Sequence, residues 1–330
     1  MGSKKIILSG LILCLFFCAC ATPSQAGIRT VTSRGKTYVP FNNIADYYGM
    51  KLSTPSKKSL RLRSQWNTLE IETDSRRCRI NDTLLWLNHP ARKVGWQWAI
   101  EDDDFDKLID PAVRPYAFLK NAGSRIVVLD PGHGGKDLGA VSPRKVYEKL
   151  LVMDVAKRVR NKLQARGLTV HLTRDNDQRL SLSERTKKAK KWNADVFVSL
   201  HADSAGKSAK GAATFILSLP KCYSTLSYGK GIPSGKTNSG NRFDLANAVL
   251  GYRIQQNLIK ATRQDDRGVK RARFQVLKDA PCPAALVEMA FITNPQEEAL
   301  VIRATHREKI ATGIANGIAA YLNDIARAKR

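Results

Sequence analysis

The chain has 330 residues, 43% of them hydrophobic and 7% aromatic, an ordinary globular composition that excludes a disordered or low-complexity polymer. No apolar run beyond the N-terminus approaches bilayer length, which excludes an internal membrane span. The formal net charge of +26 points to polyanionic partners.

In chain order, the first element is a basic start at Lys4 and Lys5, an apolar stretch from Ile6 to about Ala21, and small residues at Ser24 and Ala26. Residues 1–26 therefore read as a cleaved export signal, and the stretch is short for a membrane anchor. Export predicts a periplasmic or cell-envelope location. Lipid attachment at Cys20 is a second reading, which Ala19 suits and Phe17 does not. Export also redirects the charge argument towards carboxylate-bearing or phosphate-bearing envelope polymers, and no nucleic-acid partner is expected. A basic surface without a specific partner is the plainer alternative. Beyond the signal only Cys78, Cys222 and Cys282 remain, in no metal-binding spacing, so buried free thiols are expected unless two of them pair.

Residues 27–118 read as a small β-rich module. Strand-like pieces at Lys36–Pro40, Leu60–Leu62, Leu69–Glu72 and Leu84–Leu87 surround one helical segment, Phe41 to Tyr48. The acidic run Glu101–Asp104, followed by Pro111 and Pro115, reads as an exit and linker. From Ser124 the rhythm becomes alternating strand and helix, so residues 119–330 are expected to form an α/β domain with a mainly parallel or mixed central sheet flanked by helices. The expected elements are strands at Arg125–Asp130, Leu168–Thr173, Asp195–His201, Thr214–Leu217, near Phe274–Leu277 and at Ala284–Met289. Helices are expected at Tyr147–Arg166, Leu182–Lys191 and Phe243–Thr262, with two more closing the chain. Leu219–Gly240, rich in Ser, Gly and Lys, reads as a long loop.

Chemistry concentrates at the ends of these elements. His133 follows the first apolar strand in a turn with four glycines, Val127 to Ala140; Glu148 opens the next helix; His201 ends the strand of "VFVSLHAD". Two imidazoles and a carboxylate with a fourth position free for water form a catalytic zinc arrangement. On spacing alone, each histidine is equally a hydrogen-bonded strand-end residue and the glutamate a helix-dipole complement. Glu288 sits in the apolar "ALVEMAF", where burial would raise its pKa; a structural carboxylate paired with an arginine is the alternative. Asp130 either orients His133 or caps the turn. Ser181 and Glu184 read as a capping box. His171 and His306 read as structural or solvated.

Several motifs occur together and in order: "LDPGHGG", "YEKLLVMDVAKRV", "GLTVHLTRDND", "LSLSERTKKAKKWNADVFVSLHAD" and "RGVKRARFQVLKDAPCPAALVEMAFITN". With them the chain from Arg125 to Leu322 resembles the zinc-dependent N-acetylmuramoyl-L-alanine amidases of the amidase 3 type. That resemblance implies one Zn2+ held by His133, Glu148 and His201, a catalytic Glu288, and hydrolysis of the bond between N-acetylmuramic acid and L-alanine in peptidoglycan. Zinc would activate water and polarise the carbonyl while Glu288 moves the proton. Arg267 matches a family motif near the cleft, and either meets a substrate carboxylate or ties down its own loop. A protein activator is a further partner that the sequence leaves open. Some division-associated relatives plug the zinc with an acidic residue from an inserted helix; the chain between Asp203 and Asp244 has no Asp or Glu, so that mode of autoinhibition is not expected here. Relatives usually carry Gly where this chain has Ala290, which would be strained if the position needs a positive φ. The N-terminal "GKTYVPFNNIADYYGMKL" resembles the small N-terminal domain of copper amine oxidases, which implies a non-catalytic module; His89 is its only histidine. A zinc peptidase acting within the stem peptide, and an inactive wall-binding protein of the same fold, are the competing readings.

Overall fold

A computed structural model describes residues 27–119, 123 and 125–328. The expected signal and Cys20 lie outside the described residues.

The N-terminal part contains β1 (Val31–Ser33), β2 (Lys36–Pro40), α1 (Phe41–Tyr48), β3 (Lys51–Ser56), β4 (Ser59–Arg63), β5 (Thr68–Glu72), β6 (Arg77–Ile80), β7 (Thr83–Trp86), β8 (Arg92–Val94) and β9 (Gln97–Glu101). α1 ends where Gly49 takes a left-handed conformation and donates to the Asp46 and Ala45 carbonyls, a common way for helices to stop. β4, β5 and β6 alternate buried and half-exposed residues, the signature of a sheet with one dry face. The acidic run is not a linker. Asp102–Asp104 and Asp110–Val113 are helical and flank a π-helical turn, Phe105–Ile109. Asp104 is fully buried because its carboxylate accepts the backbone N–H groups of Asn88 and His89.

The remainder is the expected alternation: β10 (Ile126–Pro131), α2 (Glu148–Gln164), β11 (Thr169–Leu172), α3 (Leu182–Lys191), β12 (Val196–Asp203), β13 (Ala212–Leu217), α4 (Asp244–Thr262), β14 (Asp266–Ala272), β15 (Ala284–Phe291), α5 (Pro295–Val301) and α6 (Ala304–Arg327). The segment near Phe274–Leu277 is helical at Gln275–Lys278 instead of a strand. Ser181 and Glu184 form the expected capping box at the start of α3.

Two sheets result. The smaller is antiparallel, in the order β1-β2-β9-β8; the larger is mixed and eleven-stranded, in the order β11-β10-β12-β15-β13-β14-β7-β6-β5-β4-β3. Within the larger sheet β11, β10, β12 and β15 are mutually parallel, β13 is antiparallel to β15, and β14 is parallel to both β13 and β7. The N-terminal strands therefore extend the sheet of the α/β region through the Val269–Leu85 pairing. Side chains alternate across that sheet. Val127, Leu129, Val198 and Val287 meet the apolar faces of α2, α4 and α6. Val128, Phe197, Phe215 and Leu286 face the other way, against Ala189 of α3 and Val276 and Leu277 of the short helix. Ile216, Ala248, Tyr252 and Val269 share a core with Leu62, Leu69, Ile71 and Leu85 of the N-terminal part. Cys78, Cys222 and Cys282 are buried free thiols.

Candidate metal centre

β10 carries a buried apolar run up to Pro131, after which the chain turns sharply. His133 adopts φ 60°, a left-handed conformation uncommon for a residue with a side chain and concentrated at functional sites. The turn has no room for extra atoms. A Cβ on Gly132 would lie 2.3 Å from Cε1 of His201, and one on Gly139 would lie 2.6 Å from Oε2 of Glu148 and 2.7 Å from Cδ2 of His133. Two of the turn's glycines thus let backbone pass directly against the would-be ligands.

Arg174 and Asp130 hold this turn. Arg174, two residues past the end of β11, donates to the carbonyls of Pro131, Gly132 and Lys149. Asp130 neither orients His133 nor caps the turn. Its buried carboxylate accepts from Thr173, Ser199 and Arg185, and Arg185 in turn donates to the carbonyls of Pro131 and His133. The partner of the His133 ring is Asp137, whose Oδ1 lies 2.9 Å from Nδ1. Metal-binding imidazoles are commonly oriented by such a carboxylate. Its only trace in the sequence is an acid four residues after the histidine.

His133, Glu148 and His201 converge. Glu148 Oε1 is 3.1 Å from Nε2 of His133 and 3.0 Å from Nδ1 of His201. The two rings stand edge to face with centroids 4.9 Å apart, and one ligand-capable atom from each of the three residues lies within 4.8 Å of the others. Backbone N–H groups of Ala140 and Ala202 also donate to Glu148. Burial alone would push the Glu148 carboxyl up, but hydrogen bonds and charge from both imidazoles hold it well below the usual carboxylate range. The donor set, two imidazoles and an ionised carboxylate with solvent on one side, is one that zinc takes.

β15 brings Glu288 alongside, level with His201 on β12 and Ala213 on β13. Its Oε2 is buried and has no hydrogen-bond partner among the described residues, contrary to the structural-carboxylate alternative. Burial first, then the negative charges of Asp203 and Glu148, hold its carboxyl well above the usual range, opposed by Lys270. Ala290, two residues on, lies in the strand and is absent from the positive-φ positions, so no strain attaches to it. His133, His201 and Glu288 line one cleft of about 730 Å³ together with Asp137, Arg179 and Leu182. A larger groove, about 1150 Å³, lies beside Tyr47, Trp66 and Arg63, but the ligand cluster selects the smaller one.

Arg267 lies outside that cleft. It donates to the Lys210 carbonyl and stacks on Phe291, with its guanidinium carbon 4.6 Å from the ring centroid. His171 stacks on Trp192 in the manner of a structural residue. The long loop runs towards the N-terminal part, where the Tyr228 ring sits 4.1 Å under the Arg76 guanidinium. Arg273 anchors the loop through the carbonyls of Leu219, Cys222 and Ser234.

The model of a family described as N-acetylmuramoyl-L-alanine amidase matches residues 127–320. The chain is 36% identical over 251 residues to the N-acetylmuramoyl-L-alanine amidase AmiA of Escherichia coli K12, covering 69% of this chain and 86% of that protein. It is 36% identical over 197 residues to the N-acetylmuramoyl-L-alanine amidase LytC of Bacillus subtilis 168, covering 59% of this chain and 35% of that one. Among solved structures, an N-acetylmuramoyl-L-alanine amidase from Clostridium difficile 630 is similar with a TM-score of 0.51 and 30% identity, over 61% of this chain and 98% of the other.

Proposed function

Because this chain belongs to the N-acetylmuramoyl-L-alanine amidase family and acts on peptidoglycan, we propose that it is an exported zinc enzyme that separates stem peptides from N-acetylmuramic acid during wall remodelling or daughter-cell separation. The observation that carries this reading is the convergence of three ligand atoms beside the unpartnered, buried oxygen of Glu288. His133, Glu148 and His201 would hold one Zn2+, with Asp137 fixing the His133 ring. Bound there, zinc supplies Lewis-acid activation of water and of the scissile carbonyl. Glu288 takes the proton of the attacking water as the hydroxyl adds to the carbonyl carbon. It returns that proton to the alanine nitrogen as the C–N bond breaks.

Residues 119–330 are proposed as the catalytic unit and 27–118 as a non-catalytic module. Arg267 is proposed to offer its remaining nitrogens to a substrate carboxylate. An activator protein and anionic envelope polymers complete the proposed partners. The same constellation would serve a peptidase within the stem, and family membership selects the muramoyl bond.

The test is incubation of the mature protein with isolated peptidoglycan, with zinc and then with chelator, and mass spectrometry of the products. Stem peptides with a free L-alanine amino terminus, released only with metal, are expected. Glu288→Gln should lower release by about 10³-fold while retaining metal. Cleavage within the stem, or an active Glu288→Gln protein, overturns the assignment.

A further inference from the structure

The sheet face that carries Glu288 does not end at the zinc cleft. Paired residues share a face, and Glu288 is level with Ala213 while Phe215, two residues along β13, is level with Lys270 on β14. Leu85 pairs with Val269, so its neighbours Leu84 and Trp86 share the Lys270 face, as does Arg77, which is level with Trp86. One surface thus runs from the catalytic carboxylate to the N-terminal strands. On it lies a second cleft, about 360 Å³, lined by Arg77, Trp86, Lys210, Arg267 and Lys270.

This cleft carries more cationic groups than its acids neutralise. Lys270 is only 5% exposed, yet its ammonium makes no ion pair or hydrogen bond among the described residues and lies 5.7 Å from the centroid of the Phe215 ring. Arg267, beside it, has a buried Nε with no partner. Of the two acids lining the cleft, Asp265 pairs with Lys210 at 3.1 Å and Asp266 is used by the N–H groups of Leu84 and Gly268. Holding a nearly buried ammonium beside a half-buried guanidinium is costly, and an anion arriving between them lowers that cost. Burial and the Arg267 charge already push the Lys270 ammonium down to about 8, against the pull of Asp203 and Glu288.

We propose that Lys270, with Arg267, forms a subsite for a carboxylate of the stem peptide, and that Arg77 and Trp86 of the N-terminal strands wall it. The inference rests on the amidase reading for the identity of the peptide. Two strand spacings and a two-residue offset separate Glu288 from Lys270, about 12 Å, which an extended peptide crosses in about three residues at ~3.5 Å each. The anion recognised is therefore carried by the second or third residue beyond the cut. The walls explain why the N-terminal strands join this sheet: Trp86 donates its indole N–H to the Arg267 carbonyl and so fixes the backbone that presents both cations.

The experiment separates binding from cleavage. The tripeptide L-alanyl-γ-D-glutamyl-L-lysine, with its glutamate α-carboxylate and C-terminal carboxylate both free or both amidated, is titrated calorimetrically into the full mature protein, its Lys270→Met variant and its Lys270→Arg variant. Tenfold or tighter binding of the free acid over the amide is expected for the parent, with the preference lost in Lys270→Met and partly restored in Lys270→Arg. The thermal midpoint of Lys270→Met should not fall, because the substitution removes a buried charge and keeps its volume. Equal binding of acid and amide by the parent, or an unchanged preference in Lys270→Met, overturns the subsite. A Lys270-dependent preference in a protein that releases nothing from peptidoglycan supports the subsite and overturns the amidase reading instead.

Discussion

The chemistry of single residues here depends on how tightly backbone is allowed to approach them. His201 is held in place from one side by Gly132, whose absent side chain leaves the ring its position. Gly132→Ala would place a methyl group inside that ring's space, and the imidazole would have to swing away from Glu148. The expected outcome is metal affinity reduced by about 10- to 100-fold with the fold intact, measured by competition with a chromogenic chelator; unaltered affinity would show that the ring has another place to sit. His133, Glu148, His201 and Glu288 could be singled out in the sequence because the motifs around them resemble a known family; their places along strands and helices alone left structural roles equally open. Asp137 left only the trace of an acid four residues after its partner His133, and Arg174 and Lys270 left none. The roles of Arg174 and Lys270 arise only when β11 and β14 are brought beside other parts of the chain, and nothing in a run of neighbouring residues records that.

Among elements, the junction of β10, β11, β12 and α3 is the structural keystone of the site. Asp130 connects all four through Thr173, Ser199 and Arg185. Asp130→Ala would leave the almost fully buried Arg185 guanidinium without its counter-charge, and a loss of about 3–5 kcal/mol in urea unfolding is expected. A loss under 1 kcal/mol would mean that the carbonyls of Pro131 and His133 satisfy that arginine unaided. The same layer explains which elements were readable. α1 and α3 agree with the sequence-based expectation because their caps and periodicity are local. β14 escaped notice because "DRGVKRA" looks solvent-facing, although Lys270 and Arg271 are buried, the latter donating to the carbonyls of Leu217 and Lys107. β3 escaped because all of its residues are exposed and no alternation marks it. The short apolar run Phe274–Leu277 is ambiguous between strand and helix, and packing against α3 decides for helix.

At the scale of the whole molecule, the shared core is the feature with the largest energetic reach. Removing residues 27–118 would uncover Ile216, Ala248, Tyr252 and Val269 together with the free edge of β14. Scanning calorimetry of residues 27–330 is expected to show one transition, and a fragment of residues 119–330 to unfold at a lower temperature or aggregate. Two well-separated transitions, with the fragment matching one of them, would show that the sheet junction contributes little. The join between β7 and β14 also constrains the order in which the chain can become a protein. Trp86 contacts Arg267 across 181 residues of sequence, so the edge of β7 has no native partner until nearly all of the chain has been made. Such long-range parallel pairing closes late and slowly. A nascent chain must therefore carry an open, adhesive strand edge through most of its synthesis, and its exposure to holding factors should be set by its last third rather than by its first.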